Sequence, residues 1–493
     1  MPQVSKAAIA RLERIRGDTA AVVSAFDAGG FRLYLVGGSV RDAIMDPSPT
    51  PLGRNIEIDG ADLDFGAAPD FDFTTDATPD AVEALVSPLA EALWLVGKRF
   101  GTVSARVKGF TLEITTHRGE SYGDESRKPD VVMSTSLDAD LVRRDFRINA
   151  MAVEFTRRRE IEIIDNFGGL SDIAARILRT PGTPEDSFSD DPLRMLRAAR
   201  FAARLEFELA PEVKSAMAEM AHRLEIVSRE RIRDEFDKLI TASRASIGLR
   251  LLVESGLADQ FLPELPALAL EQDPIHLHKD VLEHTYSVVD NTRPDLILRL
   301  AALFHDIGKP ATRKFDPSGV SFHNHDKVGS KMTKRRMREL KYSSAMVTAV
   351  ARLVYLHLRF HTYQAGWTDK AVRRYVVEAG DLLERLNDLT LADCTTRNLN
   401  KVRALEDRMV ELKARIQDLR QREELEALRP ELDGSQVMEI LGLAPSREVG
   451  IALDFLLNLR LDEGLLGYEE ARARLVDFWK NRETPSDAMP GSS

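Results

Sequence analysis

Two acidic residues separated by one aromatic residue form the most informative pattern in this chain. The segment Asp70-Phe71-Asp72-Phe73 alternates acid and aromatic, and in a strand, side chains two residues apart point to the same face. A strand here would present Asp70 and Asp72 together and bury Phe71 and Phe73. Two adjacent carboxylates are the ligands that a pair of Mg²⁺ ions needs in phosphoryl transfer. The pattern therefore predicts a two-metal phosphoryl-transfer site.

A glycine turn upstream of the acid pair predicts a phosphate-binding loop. The apolar run Leu33–Val36 is followed by Gly37 and Gly38 and then by Arg41. Glycine lets the backbone approach a phosphate closely, and the start of the following helix favours anions. Gly37, Gly38 and Arg41 are therefore candidate nucleotide-binding residues.

Two further segments could complete this site. Residues 143–150 combine three arginines with Asp145 and Asn149. The arginines, Arg144 among them, could neutralise a triphosphate, while Asp145 or Asn149 could bind ribose hydroxyls. The alternative for this segment is a surface salt-bridge cluster. Glu113 is a candidate third carboxylate on a neighbouring strand, the alternative being an ordinary exposed strand residue.

A carboxylate and a guanidinium one helical turn apart could read a base. Asp191 precedes Pro192 and lies three residues before Arg194, with Arg197 following on the same basic stripe. Cytosine and adenine both place an exocyclic amino donor beside a ring-nitrogen acceptor, so Asp191 could accept from the first and Arg194 donate to the second. The other interpretation, compatible with this one, is that Asp191 caps the helix.

Composition limits the class of protein. The 493 residues carry 68 Lys and Arg against 79 Asp and Glu, a net charge of −11. This balance argues against non-specific binding of nucleic acid over the whole surface, although a local basic patch remains compatible with it. The single cysteine, Cys394, fits a reducing compartment. Because we find no signal peptide and no apolar run that could span a bilayer, we expect a cytoplasmic protein without a membrane partner.

A histidine cluster marks a second candidate site. Eight of the ten histidines lie between His276 and His361. A predicted helix over Leu296–Ile307 carries His305 and Asp306 near its end; His284 lies upstream and Asp393 far downstream. This mixed nitrogen and oxygen set suits Mg²⁺, Mn²⁺, iron or Ni²⁺ rather than a thiolate zinc site. His325 and His357 could serve a second metal or could be ordinary helix histidines.

The ordered motifs resemble the class II tRNA nucleotidyltransferase/poly(A) polymerase family, and most closely its bacterial CCA-adding members that carry an HD domain. The resemblance implies that Gly37 and Gly38 lie at the nucleotide, Asp70 and Asp72 bind Mg²⁺, Arg144 and Asp145 lie near ribose and phosphate, and Asp191 and Arg194 read the base. Residues 227–236 resemble the family's later neck motif. The series His284, His305, Asp306 and Asp393 resembles the HD metal-phosphohydrolase superfamily.

The resemblance also implies an architecture. We expect an α+β protein with a mixed-sheet nucleotidyltransferase head over residues 1–170, followed by an all-helical neck (171–245), an HD body (246–400) and a helical tail (401–493) that binds tRNA. Residues 46–69 form a predicted inserted loop. This loop contains a second acid pair, Asp62 and Asp64, but only Asp70–Pro79 continues with the family's Thr-Thr-Asp-Ala and proline.

The implied activity is template-independent addition of CCA to the 3′ end of tRNA from CTP and ATP. The implied cofactors are Mg²⁺ in the head and a second divalent metal, of unspecified identity, in the HD body. The alternatives that stay open are a poly(A) polymerase, an enzyme that adds only A or only CC, and a metal phosphohydrolase acting on RNA ends. The expected partners are tRNA, CTP and ATP, and the sequence leaves a homodimer open.

Overall fold

The computed structural model describes residues 4–45, 70–121, 130–133, 136–156, 160–270, 280–316, 319–363, 367–396, 398–423, 430–464 and 466–483. The contacts divide the chain into two compact units, Met1–Phe261 and Leu262–Ser493. The predicted insertion 46–69, with Asp62 and Asp64, lies outside the described residues. The predicted four-part division of the chain stays a prediction.

The first unit combines helices with a mixed sheet. Its helices are α1 (Lys6–Asp18), α2 (Ala20–Gly29), α3 (Gly38–Met45), α4 (Pro79–Val86), α5 (Leu137–Val142), α6 (Gly169–Ala175), α7 (Pro184–Asp190), α8 (Leu193–Leu205), α9 (Pro211–Met220), α10 (Arg229–Ile240) and α11 (Ala245–Glu254). Its strands are β1 (Leu33–Val36), β2 (Asp70–Thr75), β3 (Ala92–Trp94), β4 (Thr102–Val107), β5 (Phe110–Thr116), β6 (Arg118–Ser121), β7 (Asp130–Met133), β8 (Ala152–Glu154), β9 (Ile163–Ile164), β10 (Ile177–Leu178) and β11 (Glu208–Leu209).

The second unit is almost entirely helical. Its helices are α12 (Val281–Asn291), α13 (Leu296–Phe304), α14 (Lys309–Thr312), α15 (His325–Glu339), α16 (Ser344–Leu356), α17 (Asp369–Ala379), α18 (Leu383–Asp393), α19 (Leu399–Glu423), α20 (Gly434–Leu441), α21 (Arg447–Glu463) and α22 (Tyr468–Glu483), and its strands are β12 (Lys314–Asp316) and β13 (Gly319–Ser321). Within the described residues, no helix combines the length and apolar character needed to cross a bilayer.

The main sheet of the first unit places the acid pair at its centre. Its strand order is β3-β4-β5-β2-β1-β8-β9, in which β2 runs parallel to β5 and antiparallel to β1. The strand β2 follows the predicted alternation: Phe71 and Phe73 are buried, whereas Asp70 is exposed. Burial of each phenylalanine contributes about 2 kcal/mol to stability. This packing fixes the orientation of β2, so that Asp70 and Asp72 lie on the opposite face. The α+β class with a mixed-sheet head is confirmed.

Two local predictions need correction. The chain beyond residue 170 is not purely helical, because β10 pairs with β11 and β12 with β13. Both are ladders of two or three residues, too short to show a period-two pattern in the sequence. The helix α13 ends at Phe304, so His305 and Asp306 lie in the turn that follows it, rather than inside the predicted helix Leu296–Ile307.

Candidate active site and metal centre

Three carboxylates meet on adjacent strands of the head. In the parallel pairing of β2 and β5, Asp72 lies opposite Glu113, and Asp70 shares the face of Asp72 two residues earlier. Burial raises the pKa of Asp72; Arg144 opposes this shift and the charge of Asp70 adds to it. Partial burial, together with the charges of Asp72 and Asp70, likewise raises the pKa of Glu113. A cluster whose members repel one another in this way suits a divalent cation.

The glycine turn lies directly against this cluster. Gly37 adopts a φ of +71°, which favours glycine. A Cβ added there would lie 3.2 Å from Arg144 Nη1 and 3.3 Å from Asp72 Oδ2. Gly37 therefore lets the backbone approach both the acid pair and an arginine, and α3 begins at the next residue, Gly38.

Arg144 is held in place by a buried acid. Its Nη2 donates to Asp140 Oδ2 at 3.1 Å, an i,i+4 pair that starts on α5. The Asp140 side chain is almost fully buried. This contact anchors the guanidinium beside Gly37 and Asp72. Sequence reasoning did not single out Asp140, although its spacing to Arg144 was the available signal.

Asp145 and Asn149 belong to a buried network behind the cluster. Asp145 Oδ2 accepts from Arg197 Nη2 at 2.5 Å and from Nε at 2.9 Å, while Oδ1 accepts from Asn149 at 2.9 Å. Asn149 Oδ1 accepts in turn from Arg41 at 2.6 Å. Burial opposes ionisation of Asp145, but Arg197 and these hydrogen bonds outweigh it and lower its pKa. Both carboxylate oxygens therefore already accept hydrogen bonds, and the predicted contact of Asp145 or Asn149 with ribose stays a prediction.

The predicted base-reading pair lies at the start of α8. Asp191 Oδ1 accepts from the Leu193 N–H at 3.1 Å, the capping contact that the sequence predicts, and α8 begins at Leu193. Asp191 Oδ2 accepts from Arg231 Nη2 at 2.8 Å. Arg194 Nη1 donates to the Ser187 hydroxyl at 2.9 Å, and its Nη2 donates to the Arg143 carbonyl.

These contacts do not use the full hydrogen-bonding capacity of the pair, and its reading of a base stays a prediction. An ionised carboxylate accepts about four hydrogen bonds and a guanidinium has five donors, so neither Asp191 nor Arg194 is saturated. Sequence reasoning missed Arg231 as a partner of Asp191. The two residues are 40 positions apart, and only the packing of α10 against α8 brings them together.

A buried histidine in the head predicts a pH dependence of stability. His117 is 1% exposed, and its Nδ1 lies 2.9 Å from Thr74 Oγ1. Burial lowers the pKa of His117 below its ordinary value of 6.5. The unfolded chain therefore binds more protons than the folded chain once the pH falls below about 6.5, and stability is lost in that direction. We expect the melting temperature to fall less between pH 7 and pH 5 in His117→Gln than in the unaltered protein. Equal slopes in a thermal scan would contradict this.

The second unit gathers four predicted metal ligands. His284 Nε2 lies 2.9 Å from Asp393 Oδ1 and 3.3 Å from His305 Nε2. His305 Nε2 lies 3.1 Å from Asp306 Oδ2. His284, His305 and Asp393 form one group whose donor atoms all lie within 4.8 Å of one another. The structure therefore brings together residues from α12, the end of α13 and α18.

A second group adjoins the first through Asp306. Asp306, His325 and His357 are all buried, and their donor atoms lie within 4.8 Å of one another. His325 Nε2 is 3.5 Å from Asp306 Oδ1, the oxygen that the first group does not use. The Nε2 atoms of His325 and His357 are buried without a hydrogen-bond partner among the described residues. Unpartnered imidazole nitrogens aimed at a shared carboxylate fit a second divalent cation.

Backbone carbonyls orient three of these imidazoles. The Nδ1 atoms of His305, His325 and His357 lie 2.6 to 2.7 Å from the carbonyl oxygen three residues earlier. A proton on Nδ1 leaves Nε2 free to bind a metal. Although burial opposes protonation of His305, the charge of Asp306 and a hydrogen bond to it raise its pKa to about 9. Burial and the His305 charge lower the pKa of His357 to about 4. A divalent cation bound at His305 would displace its second proton.

Comparison with known families matches three parts of the chain. The Poly A polymerase head domain matches residues 33–179, the probable RNA and SrmB-binding site of polymerase A matches 206–268, and the HD domain matches 281–398. The first range contains the three carboxylates, and the last contains both histidine groups.

Several curated relatives align with much of the chain. An A-adding tRNA nucleotidyltransferase of Deinococcus radiodurans is 36% identical over 78% of this chain and 89% of its own length. A CC-adding tRNA nucleotidyltransferase of Thermus thermophilus is 32% identical over 93% of this chain and 96% of its own length. A CCA-adding enzyme of Bacillus licheniformis is 40% identical, over 48% of this chain and 53% of its own length.

Solved structures agree in fold. The CCA-adding enzyme of Bacillus stearothermophilus in complex with CTP is similar with a TM-score of 0.67 and 25% identity, covering 95% of this chain and 98% of that one. A CCA-adding enzyme with ATP gives a TM-score of 0.60 at 18% identity, over 97% of this chain and 98% of that one. The chain belongs to the class II tRNA nucleotidyltransferase/poly(A) polymerase family, as a nucleotidyltransferase that carries an HD domain.

Proposed function

We propose that this enzyme adds C, C and A to the 3′ end of tRNA, using CTP and ATP and no nucleic-acid template. The observation that carries the proposal is the convergence of Asp70, Asp72 and Glu113 on one face of the sheet, against the glycine turn and Arg144. This arrangement needs no protein nucleophile, because the terminal hydroxyl of the RNA attacks the α-phosphate itself.

The residues of the head have different roles in the proposed reaction. Asp70 and Asp72, with Glu113 beside them, would hold Mg²⁺, which supplies activation of the RNA hydroxyl and neutralisation of the leaving pyrophosphate. Arg144 donates to the triphosphate next to Gly37, whose missing side chain leaves room for the phosphates. Asp191 accepts from the exocyclic amino group of C or A, and Arg194 donates to the neighbouring ring nitrogen. Uracil and guanine present the reversed pattern and are rejected.

Because the relatives add different nucleotides, the number and identity of the nucleotides that this enzyme adds need to be tested. Of the relatives named above, an A-adding and a CC-adding enzyme align over most of this chain. Three tRNA transcripts ending before CCA, after C and after CC should each be incubated with CTP, with ATP and with both. With both nucleotides, we expect all three transcripts to be completed to CCA. With CTP alone the first two should stop at CC, and with ATP alone only the CC-ended transcript should gain a single A. If both nucleotides together extend only the CC-ended transcript, or add only C to the others, the enzyme has a partial activity, and a long A ladder would indicate a poly(A) polymerase.

A second candidate function belongs to the HD body. Its six ligand residues form two groups joined by the two oxygens of Asp306. We propose that this body binds two divalent cations, which would supply a metal-bound nucleophile for hydrolysis of phosphate esters. Whether RNA ends are its substrate is testable with a 2′,3′-cyclic phosphate terminus, whose opening in Mn²⁺ should depend on His305 and Asp306 and not on Asp70.

The bridging role of Asp306 predicts a metal count. We expect His284→Gln and His357→Gln each to bind one Mn²⁺ fewer per chain than the unaltered protein, because each removes a ligand from one group only. Asp306→Asn should bind two fewer, since the amide removes the carboxylate that both groups share. Equilibrium dialysis followed by elemental analysis would measure these differences. Metal bound in the head contributes equally to every variant and therefore does not affect them. A loss of only one ion in Asp306→Asn would contradict the bridged arrangement.

A further inference from the structure

One face of α15 carries a regular row of basic side chains. Lys327, Lys331, Lys334 and Arg338 are separated by four, three and four residues and are all exposed. At 100° per residue these side chains fall within an arc of about 60°, and the row extends over about 17 Å. We call these four residues the basic row.

The opposite face of α15 is buried and fixes the direction of the row. Gly329, Ser330, Thr333 and Met337 are buried, and α15 packs closely against α16. The helix begins at His325, a member of the second histidine group. A Cβ added at Gly308 would collide with the His325 carbonyl oxygen, so the turn after His305 and Asp306 contacts the first turn of α15. The basic row therefore starts two residues from the candidate metal centre.

The basic row has no ion-pair partner in the part of the chain that the structure describes. None of its four members forms an ion pair with a residue that the structure describes, whereas the neighbouring Arg336 is paired with Glu264 at 2.8 Å and with Glu339 at 2.6 Å. Such a concentration of unpaired positive charge is notable in a chain of net charge −11. Without a partner, these charges repel one another.

The chemistry of the face favours a phosphate backbone over a protein. Cores of protein interfaces are apolar and contain few lysines, yet none of the large hydrophobic residues that the structure shows as exposed lies on α15. A row of lysines and arginines at regular spacing matches instead the repeating negative charge of a nucleic-acid strand.

We propose that the basic row on α15 binds the sugar-phosphate backbone of RNA, and that it does so beside the HD metal centre. The inference deepens the proposed function, since it rests on RNA being the substrate, and it identifies part of the local track by which an acidic protein can hold a polyanion. Contacts of this kind position the RNA without reading its sequence.

The test compares two full-length variants with the same loss of charge. In Lys327→Gln/Lys331→Gln/Lys334→Gln, three contacts to phosphate disappear. In the control, Lys6→Gln/Arg14→Gln/Arg99→Gln, three exposed charges are removed from scattered positions of the first unit, all outside the range that matches the RNA-binding family. Binding of a tRNA transcript lacking CCA should be measured between 50 and 300 mM salt. We expect the first variant to bind about tenfold more weakly at the low end, with a salt slope shallower by about two to three, and the control to match the unaltered protein.

The two proposals fail in different ways. Equal affinities and slopes for the first variant and the control would overturn the proposal for α15, whatever the enzyme adds to RNA. If the protein bound tRNA through α15 but added no nucleotide, the proposed function would be wrong and the proposal for α15 would still hold. In an active enzyme, the α15 variant should raise KM for tRNA and leave kcat at saturating tRNA unchanged, because no lysine of the row lies in the head.

Discussion

Replacing either aspartate of the acid pair with asparagine is expected to lower the rate of nucleotide addition on the order of 10³-fold or more. Asp70→Asn and Asp72→Asn keep the size of each side chain but remove the negative charge that binds the cation. Metal stabilisation of the transition state is worth several kcal/mol, and about 4 kcal/mol corresponds to this factor. The measurement is single-turnover addition of labelled CMP to a tRNA transcript that ends before CCA.

The control for this prediction is Asp80→Asn in the same domain. Asp80 lies on α4, its side chain is 87% exposed, and it pairs with Lys98 rather than with the cluster. We expect full activity from this variant and unchanged tRNA binding from all three. If Asp72→Asn kept more than about a tenth of the original rate, Asp72 would not be one of the metal ligands.

The second large effect concerns selection of the base. Asp191→Asn keeps an oxygen that can cap α8 through the Leu193 N–H, because asparagine caps helices as well as aspartate does. The amide group, however, places a donor where the exocyclic amino group of C or A also donates. We expect kcat/KM for CTP and ATP to fall about 10- to 100-fold and the preference for CTP over UTP to fall by a similar factor. Competition between labelled CTP and UTP measures the ratio.

Arg231→Gln separates base reading from structural support. This variant breaks the ion pair between Arg231 and Asp191 but leaves the carboxylate in place. An effect on selectivity as large as that of Asp191→Asn would mean that Asp191 acts mainly by anchoring α10 to α8. We expect a smaller loss in kcat/KM and an unchanged ratio of CTP to UTP.

Local patterns predicted the parts of the head whose determinants are close in sequence. Alternation is enough to place Phe71 and Phe73 in the core and Asp70 outside it, because the period of a strand is fixed by backbone geometry. The glycine pair likewise indicates a tight turn, and Gly37 adopts the positive φ that requires it. The order of His284, His305, Asp306 and Asp393 along the chain predicted a cluster. How three separate segments bring these residues together is seen only in the structure.

Contacts between distant segments could not be predicted in this way. Arg231 and Asp191 meet because two helices pack side by side, and no spacing rule links residues in different elements. The hydrogen bonds of Asp145 and Asn149 have the same origin, since Asp145 accepts from Arg197 of α8 and Asn149 accepts from Arg41 of α3. Short ladders such as Ile177–Leu178 with Glu208–Leu209 form through tertiary packing, which overrides weak local propensity.

The most direct test of the central claim uses one tRNA transcript that ends before CCA. The enzyme is incubated with this transcript, Mg²⁺ and all four nucleoside triphosphates at equal concentration. Sequencing the 3′ ends of the products reads both the number and the identity of the nucleotides added. We predict that nearly all extended molecules end in C-C-A and stop there. Ends that contain U or G, or runs of A beyond the third position, would contradict the account of the head as a template-independent CCA-adding site.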